Sequence, residues 1–135
     1  MKLKIYTDGG SRGNPGNAGI GVYITDINGN EIEKRYKNLG IKTNNEAEYT
    51  AVLLALLRAV ELKAKEINLF SDSSLVVNQL SGNWKIKEDR LREFKNEIDK
   101  LVKDNNLKVT FTWIRREENK EADRLSNVAM DQINK

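Results

Sequence analysis

Residues 2–24 read KLKIYTDGGSRGNPGNAGIGVYI, and this stretch decides the fold. Hydrophobic and polar residues alternate over residues 2–8, which predicts a strand. Residues 13–16 contain the single proline of the chain between two glycines, a combination typical of a turn. Residues 18–24 predict a second strand, so we expect the chain to begin with an antiparallel hairpin.

The residues after this hairpin predict a third strand and a buried helix. The Asn28-Gly29 pair is typical of a two-residue hairpin turn, and it leads into a strand over about residues 31–39. Asn44 or Asn45 can cap the helix that follows. This helix is apolar almost all round, so we expect it to be largely buried.

The remainder of the chain alternates between strands and helices. The pattern predicts strands over residues 66–72 and 108–114 and helices over residues 73–82, 88–104 and 119–131. Helical crossovers connect the first, fourth and fifth strands, so these three strands should run parallel. We therefore expect one α/β domain over residues 1–135, in which a five-stranded mixed sheet (an antiparallel meander plus parallel strands) is flanked by helices.

The composition limits the chemistry that this chain can perform. It contains no cysteine and no histidine, which excludes disulfides, thiolate or imidazole metal sites and a catalytic histidine. A net charge of +3 and a pI near 9.1 permit a polyanionic partner without requiring one. No apolar run is long enough for a membrane span, and because the predicted first strand begins at residue 2, we expect no signal peptide. We expect a cytoplasmic protein.

Two predicted strands end in the same way, each with an aspartate. Asp8 ends the first strand and Asp72 ends the fourth, so parallel neighbours would carry both carboxylates to one edge of the sheet, where open α/β sheets bind ligands. Gly9 and Gly10 would allow a bulky polymer to approach the backbone closely. Glu48 continues the apolar stripe of its helix, and a buried carboxylate needs a partner charge or a metal.

Each acidic residue also has a simpler interpretation. Asp8 can form a turn, Asp72 can cap the next helix, and Glu48 can interact favourably with a helix dipole. Asp123 can be a surface charge. The joint placement of Asp8 and Asp72 argues against chance, but the residues alone do not place Glu48 and Asp123 beside them.

Four motifs resemble those of type 1 ribonuclease H (ribonuclease HI), in the same order and over essentially the whole chain. They occupy residues 7–16, 43–49, 71–73 and 119–126. The resemblance implies a ribonuclease H-like fold. It also implies an endonuclease that hydrolyses the RNA strand of RNA/DNA hybrids and leaves 5′-phosphate and 3′-hydroxyl ends.

The resemblance further implies a metal site and its ligands. Two Mg²⁺ or Mn²⁺ ions would be held by four carboxylates, which are both the metal ligands and the catalytic residues: Asp8, Glu48, Asp72 and Asp123. Asp8 would bridge both ions, and Glu48 would also reach the ribose 2′-hydroxyl of the substrate. The same resemblance implies substrate binding by Gly9, Gly10, Asn14, Thr43, Asn44, Asn45 and Ser74.

The chain departs from the family pattern in three ways. Many family members have a histidine in the loop before the last aspartate, and here Arg115 or Arg116 could substitute for it. Several members also carry a strongly basic protrusion, whereas residues 85–103 hold seven basic and five acidic residues, so we expect that protrusion to be absent. We also expect no added hybrid-binding domain.

Two alternative functions remain open at this point. One is a related nuclease that also cuts double-stranded RNA, and the other is a catalytically idle hybrid-binding module, although such a module should have lost a metal ligand. We expect a monomer with RNA/DNA hybrid as its partner. Trp113 is expected in the core, whereas Trp84 is equally compatible with substrate contact and with packing.

Overall fold

A five-stranded sheet forms the centre of the computed structural model, which describes residues 1–132. Its strands are β1 (Lys2–Gly13), β2 (Gly16–Asp26), β3 (Glu31–Lys42), β4 (Glu66–Ser71) and β5 (Lys108–Trp113). The order across the sheet is β3-β2-β1-β4-β5. The β1–β2 and β2–β3 pairs are antiparallel, whereas β4 runs parallel to both β1 and β5. The predicted mixed sheet and its connectivity are therefore confirmed.

Helices cover both faces of this sheet. Within residues 1–132 they are α1 (Asn44–Glu61), α2 (Ser74–Leu80), α3 (Asp89–Asp104) and α4 (Lys120–Asp131), and a short 3₁₀ turn (Arg116–Glu118) precedes α4. The main hydrophobic core lies between the sheet and α1 and α3, while α4 packs on the opposite face against β1, β2 and β3. None of these helices combines the length and hydrophobicity that a membrane span requires. The predicted domain also includes residues 133–135, which lie outside the described residues.

The loop between β2 and β3 differs from its prediction. It is longer than two residues, because β2 ends at Asp26 and β3 begins at Glu31. The Asp26 carboxylate accepts hydrogen bonds from the backbone N–H groups of Asn28 and Asn30, at 2.9 and 3.0 Å. A side chain therefore closes this loop, with Gly29 at a φ of +88° inside it.

The cap of α1 also differs from its prediction. Thr43, and neither Asn44 nor Asn45, is the N-cap. Its hydroxyl accepts from the Glu46 backbone N–H at 3.1 Å, and the Glu46 carboxylate accepts from the Thr43 backbone N–H at 3.1 Å. This reciprocal capping box satisfies two backbone donors at the start of the helix.

Two helices lie directly on the sheet backbone at glycines. A Cβ atom on Gly9 would lie 2.4 Å from the Ala47 carbonyl oxygen of α1, and one on Gly21 would lie 2.2 Å from the Ala122 carbonyl oxygen of α4. Gly19 makes a similar approach to α4. Because the opposing atoms belong to the backbone, they cannot move aside as a flexible side chain could. The sequence predicted only that Gly9 lets a substrate approach the backbone. The structure shows that Gly9 also lets α1 pack against β1.

We predict that Gly21→Ala lowers the free energy of unfolding by about 3 kcal/mol or more, because the added methyl must push α4 away from β2. Gly10→Ala is the matched control, since a Cβ there would meet only the flexible side chain of Met130, whose terminal methyl lies at 3.3 Å. That variant should cost about 1 kcal/mol or less. Urea denaturation of both variants measures the difference. Equal losses of stability would contradict the close-approach argument.

Candidate active site

Three carboxylates meet at one edge of the sheet. Asp8, Glu48 and Asp72 each contribute one oxygen, and these oxygens lie within 4.8 Å of one another. The parallel β1–β4 pairing aligns Thr7 with Ser71, so the following residues, Asp8 and Asp72, leave the ladder side by side. The expected convergence of the two aspartates is therefore present. Asp72 is not a helix cap, because Ser73 caps α2.

Glu48 reaches this cluster through the contact between α1 and Gly9. The backbone N–H of Gly9 donates to Glu48 Oε1 at 2.6 Å. The first turn of α1 can come this close only because Gly9 has no side chain. The same close approach therefore packs the helix and holds the glutamate beside the aspartates.

Asp123 lies on α4, on the other side of the cluster. It lines the same cleft as the three other carboxylates, but it is not part of the trio with oxygens within 4.8 Å. Its Oδ1 lies 3.5 Å from the Arg116 guanidinium. One turn later, the Ser126 hydroxyl donates to Asp8 Oδ2 at 2.7 Å. All four predicted carboxylates thus face one cleft, and α4 is tied to Asp8 through a serine.

Asn119 forms a second buried link between α4 and the sheet. Its side chain is almost fully buried, and its Nδ2 donates to the Thr7 carbonyl at 2.9 Å and to Asp72 Oδ2 at 3.2 Å. Both of these partners are acceptors, which fixes the orientation of the amide. Its Oδ1 is buried and has no hydrogen-bond partner in the described part of the chain.

Neither Asn119 nor Ser126 is among the residues predicted from the sequence. A signal was available, because both are polar yet lie three residues before and four residues after Ala122, on the buried stripe of α4. Polar residues on a buried stripe require hydrogen-bond partners. Here those partners are Asp72 and Asp8.

The carboxylates raise one another's pKa values. Burial, together with the negative charges of Asp72 and Asp123, raises the pKa of Asp8 to about 7, although the Ser126 hydrogen bond opposes this rise. Burial, with the charges of Asp8 and Asp72, raises the pKa of Glu48 well above its usual value. Burial also raises the pKa of Asp72, while Asn119 and the Arg116 charge lower it. The cluster therefore needs a cation to be fully ionised at neutral pH.

The donor set fits a hard divalent cation. It consists of carboxylate oxygens, the ligands that Mg²⁺ and Mn²⁺ prefer. Arg116 is a cation in the lining of this cleft, but its side chain is 79% exposed and lies beside Asp123. An exposed guanidinium on one side does not neutralise the trio of Asp8, Glu48 and Asp72. A bound metal would do so.

The cleft has a volume of about 360 Å³ and includes some of the predicted substrate residues. Besides the carboxylates, the predicted residues that line it are Gly9, Gly10, Asn44 and Arg116. Ser11, Arg12, Asn127 and Met130 also line it and were not predicted. Arg115 is outside the lining, and its backbone N–H donates to the Glu118 carboxylate at 3.2 Å. The structure therefore distinguishes the two arginines that the sequence left equivalent.

The other predicted substrate residues, Asn14, Thr43, Asn45 and Ser74, are not in the lining of the cleft. Asn14 Oδ1 accepts from the Asn44 backbone N–H at 3.1 Å, and Asn44 Oδ1 accepts from the Ser11 backbone N–H at 2.8 Å. These bonds connect the β1–β2 turn to the start of α1. Thr43 caps α1, and Asn45 is the second residue of that helix. Ser74 is the first residue of α2.

The prediction that Trp113 is part of the core is wrong. Its side chain is 50% exposed, because β5 is an edge strand, and its Nε1 donates to the Asp72 carbonyl at 3.2 Å. Trp84 is 48% exposed, in the segment between α2 and α3. That segment, residues 81–88, contains no helix. The absence of a basic protrusion stays a prediction of the sequence.

The sequence and the fold are similar to those of known nucleases. Residues 6–129 match the protein-family model described as reverse transcriptase-like. The bifunctional protein Rv2228c of Mycobacterium tuberculosis is 40% identical over 132 residues, which cover 97% of this chain and 36% of the relative. The chain thus spans about a third of the length of that relative.

Two further matches extend over nearly the full length of both proteins. A ribonuclease H of Ruthia magnifica subsp. Calyptogena magnifica is 36% identical over 146 residues, and the match covers 98% of this chain and 97% of the relative. The crystal structure of LC11-RNase H1, an enzyme isolated from compost, in complex with an RNA/DNA hybrid has a TM-score of 0.92. It is 41% identical to this chain and covers 96% of each chain.

We predict that the metal-free protein loses stability as the pH rises from about 4 through about 7. The folded state holds a proton on Asp8 up to about pH 7, whereas an unfolded aspartate loses it near pH 4. The native state therefore binds more protons than the unfolded state in this window, and its stability falls with pH by an amount on the order of a few kcal/mol. No histidine titrates in this window.

Urea denaturation at pH 5 and pH 8, in the presence of a chelator, measures this effect. Asp8→Asn should reduce the pH dependence, and the part that remains comes from Glu48, whose pKa is also raised by burial. Asp99→Asn, a change at an exposed position on α3, should retain the full dependence. A metal-free protein that is equally stable or more stable at pH 8 would contradict the argument.

Proposed function

This chain belongs to the ribonuclease H family, and on that basis we propose that it is an endonuclease that hydrolyses the RNA strand of RNA/DNA hybrids with divalent metal ions. The observation that carries the proposal is the meeting of Asp8, Glu48 and Asp72 oxygens within 4.8 Å at the sheet edge. The hybrid-bound structure of LC11-RNase H1, at 41% identity, supports RNA/DNA hybrid as the substrate. We propose Mg²⁺ or Mn²⁺ as the ions, two in each site.

The four carboxylates have different surroundings, which suggests a division of roles among them. Ions held by Asp8, Glu48, Asp72 and Asp123 would activate a water molecule and neutralise charge on the scissile phosphate. We propose that Asp8 contributes to both ions, because it is buried and the charges of both Asp72 and Asp123 raise its pKa. Glu48 Oε1 is held by Gly9, which leaves Oε2 to contact an ion or the ribose 2′-hydroxyl.

The walls of the cleft offer polar groups to the substrate. We propose that the backbone at Gly9 and Gly10 and the Asn44 side chain contact the nucleic acid, because these residues line the cleft. Asn14 acts by holding Asn44 in place, since its side chain accepts from the Asn44 backbone. Thr43 and Asn45, the chain neighbours of Asn44, and Ser74, two residues after Asp72, complete the proposed set: Gly9, Gly10, Asn14, Thr43, Asn44, Asn45 and Ser74.

Arg116 is our candidate for the function of the missing histidine. It lines the cleft beside Asp123, and its positive charge lowers the pKa values of Glu48 and Asp72. A guanidinium in this position can contact the scissile phosphate or help the product to leave.

Three further properties stay predictions of the sequence: a cytoplasmic location, a monomeric state and a single catalytic domain over residues 1–135.

We predict that the protein, with Mg²⁺ or Mn²⁺, cuts the RNA of an RNA/DNA hybrid and leaves duplex DNA intact. Asp8→Asn should reduce turnover by more than the roughly 10- to 100-fold that loss of an outer-sphere partner causes, because it removes a direct ligand. Asp99→Asn is the matched control and should remain active. The assay uses end-labelled hybrid, double-stranded RNA and duplex DNA, each with and without metal.

Each outcome of this panel has a distinct meaning. If double-stranded RNA is cleaved at a rate similar to that of the hybrid, the protein is the related nuclease that also cuts double-stranded RNA. If the protein binds the hybrid but does not cleave it, the protein is the catalytically idle hybrid-binding module. A fully active Asp8→Asn variant would contradict the assignment of the metal site.

We also predict that Arg116→Ala lowers kcat by about 10²-fold, because it removes a charge that faces the reacting phosphate. Arg115→Ala is the matched control and should lower kcat much less, since Arg115 does not line the cleft. Single-turnover and steady-state rates on the hybrid separate a chemical defect from slow product release. A larger defect in the Arg115 variant would overturn this assignment.

A further inference from the structure

One buried hydroxyl group lies between the two aspartates that α4 and β1 bring together. Ser126 Oγ lies 2.7 Å from Asp8 Oδ2 and 2.9 Å from the main-chain carbonyl oxygen of Asp123. We propose that Ser126 is a positioning residue that fixes the Asp8 carboxylate and so sets how tightly the site binds divalent metal. This inference rests on the proposed function, because it requires Asp8 to be a metal ligand.

The packing of α4 does not require a hydroxyl at this position. Ser126 is 1% exposed, and its neighbours on the buried stripe are Ala122, Leu125 and Ala129. An alanine would fill the same stripe without the cost of burying a polar group. The serine is therefore best explained by the partner that its hydroxyl reaches across to β1, namely Asp8.

The hydroxyl has one hydrogen and two acceptors within reach. The carbonyl of Asp123 belongs to the same helix, whereas Asp8 lies 118 residues away in the sequence. A carboxylate is the stronger acceptor once it is ionised, as it must be to bind metal. In that state the hydrogen bond to Asp8 is the favoured one, and it holds Oδ2 in a fixed direction.

The backbone around this bond leaves little freedom for adjustment. Asp8 pairs with Gly21 in the β1–β2 ladder, and a Cβ atom on Gly21 would lie 2.7 Å from the Ser126 backbone nitrogen. Since α4 rests directly on β2 at this point, the Ser126 backbone cannot move closer to the strand that pairs with Asp8. The hydroxyl therefore acts as a fixed donor and does not follow the carboxylate passively.

Loss of the hydroxyl should leave Asp8 poorly held. In residues 1–132, Ser126 is the side chain that donates a hydrogen bond to Asp8. Without it, a buried carboxylate would face the negative charges of Asp72 and Asp123 with no side-chain donor. Outer-sphere partners of this kind change metal affinity by roughly 10- to 100-fold.

The test is Mn²⁺ binding to the substrate-free protein, measured by isothermal titration calorimetry. We expect Ser126→Ala to bind Mn²⁺ roughly 10- to 100-fold more weakly than the wild type. Ser126→Cys should fall between the two, because a thiol is a weaker donor. Thr50→Ala is the matched control: its hydroxyl donates to the Glu46 carbonyl one turn earlier in α1, and its loss should leave Mn²⁺ affinity unchanged.

Hybrid cleavage provides a second readout. The KM for hybrid should be unchanged in Ser126→Ala, and kcat should recover towards the wild-type value as Mn²⁺ is raised to saturation. A melting temperature for each variant separates metal affinity from stability. A variant that melts earlier but binds Mn²⁺ as the wild type does would show a purely structural role and overturn the inference.

The remaining outcomes are also decisive. If Ser126→Ala fails to fold, Ser126→Cys decides, and wild-type Mn²⁺ affinity in that variant overturns the inference. A wild-type protein that binds no Mn²⁺ and cuts no hybrid contradicts the proposed function and this inference together. If the wild-type protein binds Mn²⁺ and cuts the hybrid, and Ser126→Ala has the same Mn²⁺ affinity as the wild type, only this inference is contradicted.

Discussion

The close contact of two helices with the β1–β2 backbone is the constraint on which the rest of this structure depends. Gly9 admits the first turn of α1, and Gly21 admits α4 on the opposite face, each at a distance that a side chain would prevent. The first contact carries Glu48 to the end of β1, and the second carries Asp123 and Ser126 there. The parallel pairing of β1 and β4 adds Asp72. The residues that pack the fold and those that form the site are therefore neighbours in the chain, and a change at one glycine affects both.

The electrostatic consequence is a cluster that is unfavourable by itself. Carboxylates are held close together and partly out of water, and burial, together with their mutual repulsion, raises the pKa values of Asp8 and Glu48. Asn119 and Ser126 donate hydrogen bonds to this cluster from α4, and Arg116 contributes a charge from its rim. These groups reduce the repulsion without removing it. A protein that retains such an arrangement gains from it when a divalent cation binds, which is the physical basis for the proposed nuclease chemistry.

Much of the fold follows from local sequence patterns, because strands and helices can be predicted from the periodicity of their hydrophobic residues. The same patterns predict that Asp8 and Asp72 meet, since parallel neighbouring strands end at one edge. Local patterns do not reveal contacts between distant segments. For this reason the hydrogen bond from Gly9 to Glu48 and the roles of Asn119 and Ser126 emerge only from the three-dimensional packing. Arg116 lines the cleft and Arg115 does not. Arg116 begins a short 3₁₀ turn, Arg116–Glu118, which the sequence patterns did not predict.

The central claim is that the sheet-edge carboxylates form a divalent-metal site. A crystal grown with Mn²⁺ and measured at a wavelength where manganese scatters anomalously tests it most directly. We expect an anomalous difference peak in contact with the oxygens of Asp8, Glu48 and Asp72, and the loss of that peak in crystals of Asp8→Asn. Crystals of an active protein that show Mn²⁺ elsewhere and none at these carboxylates would contradict it.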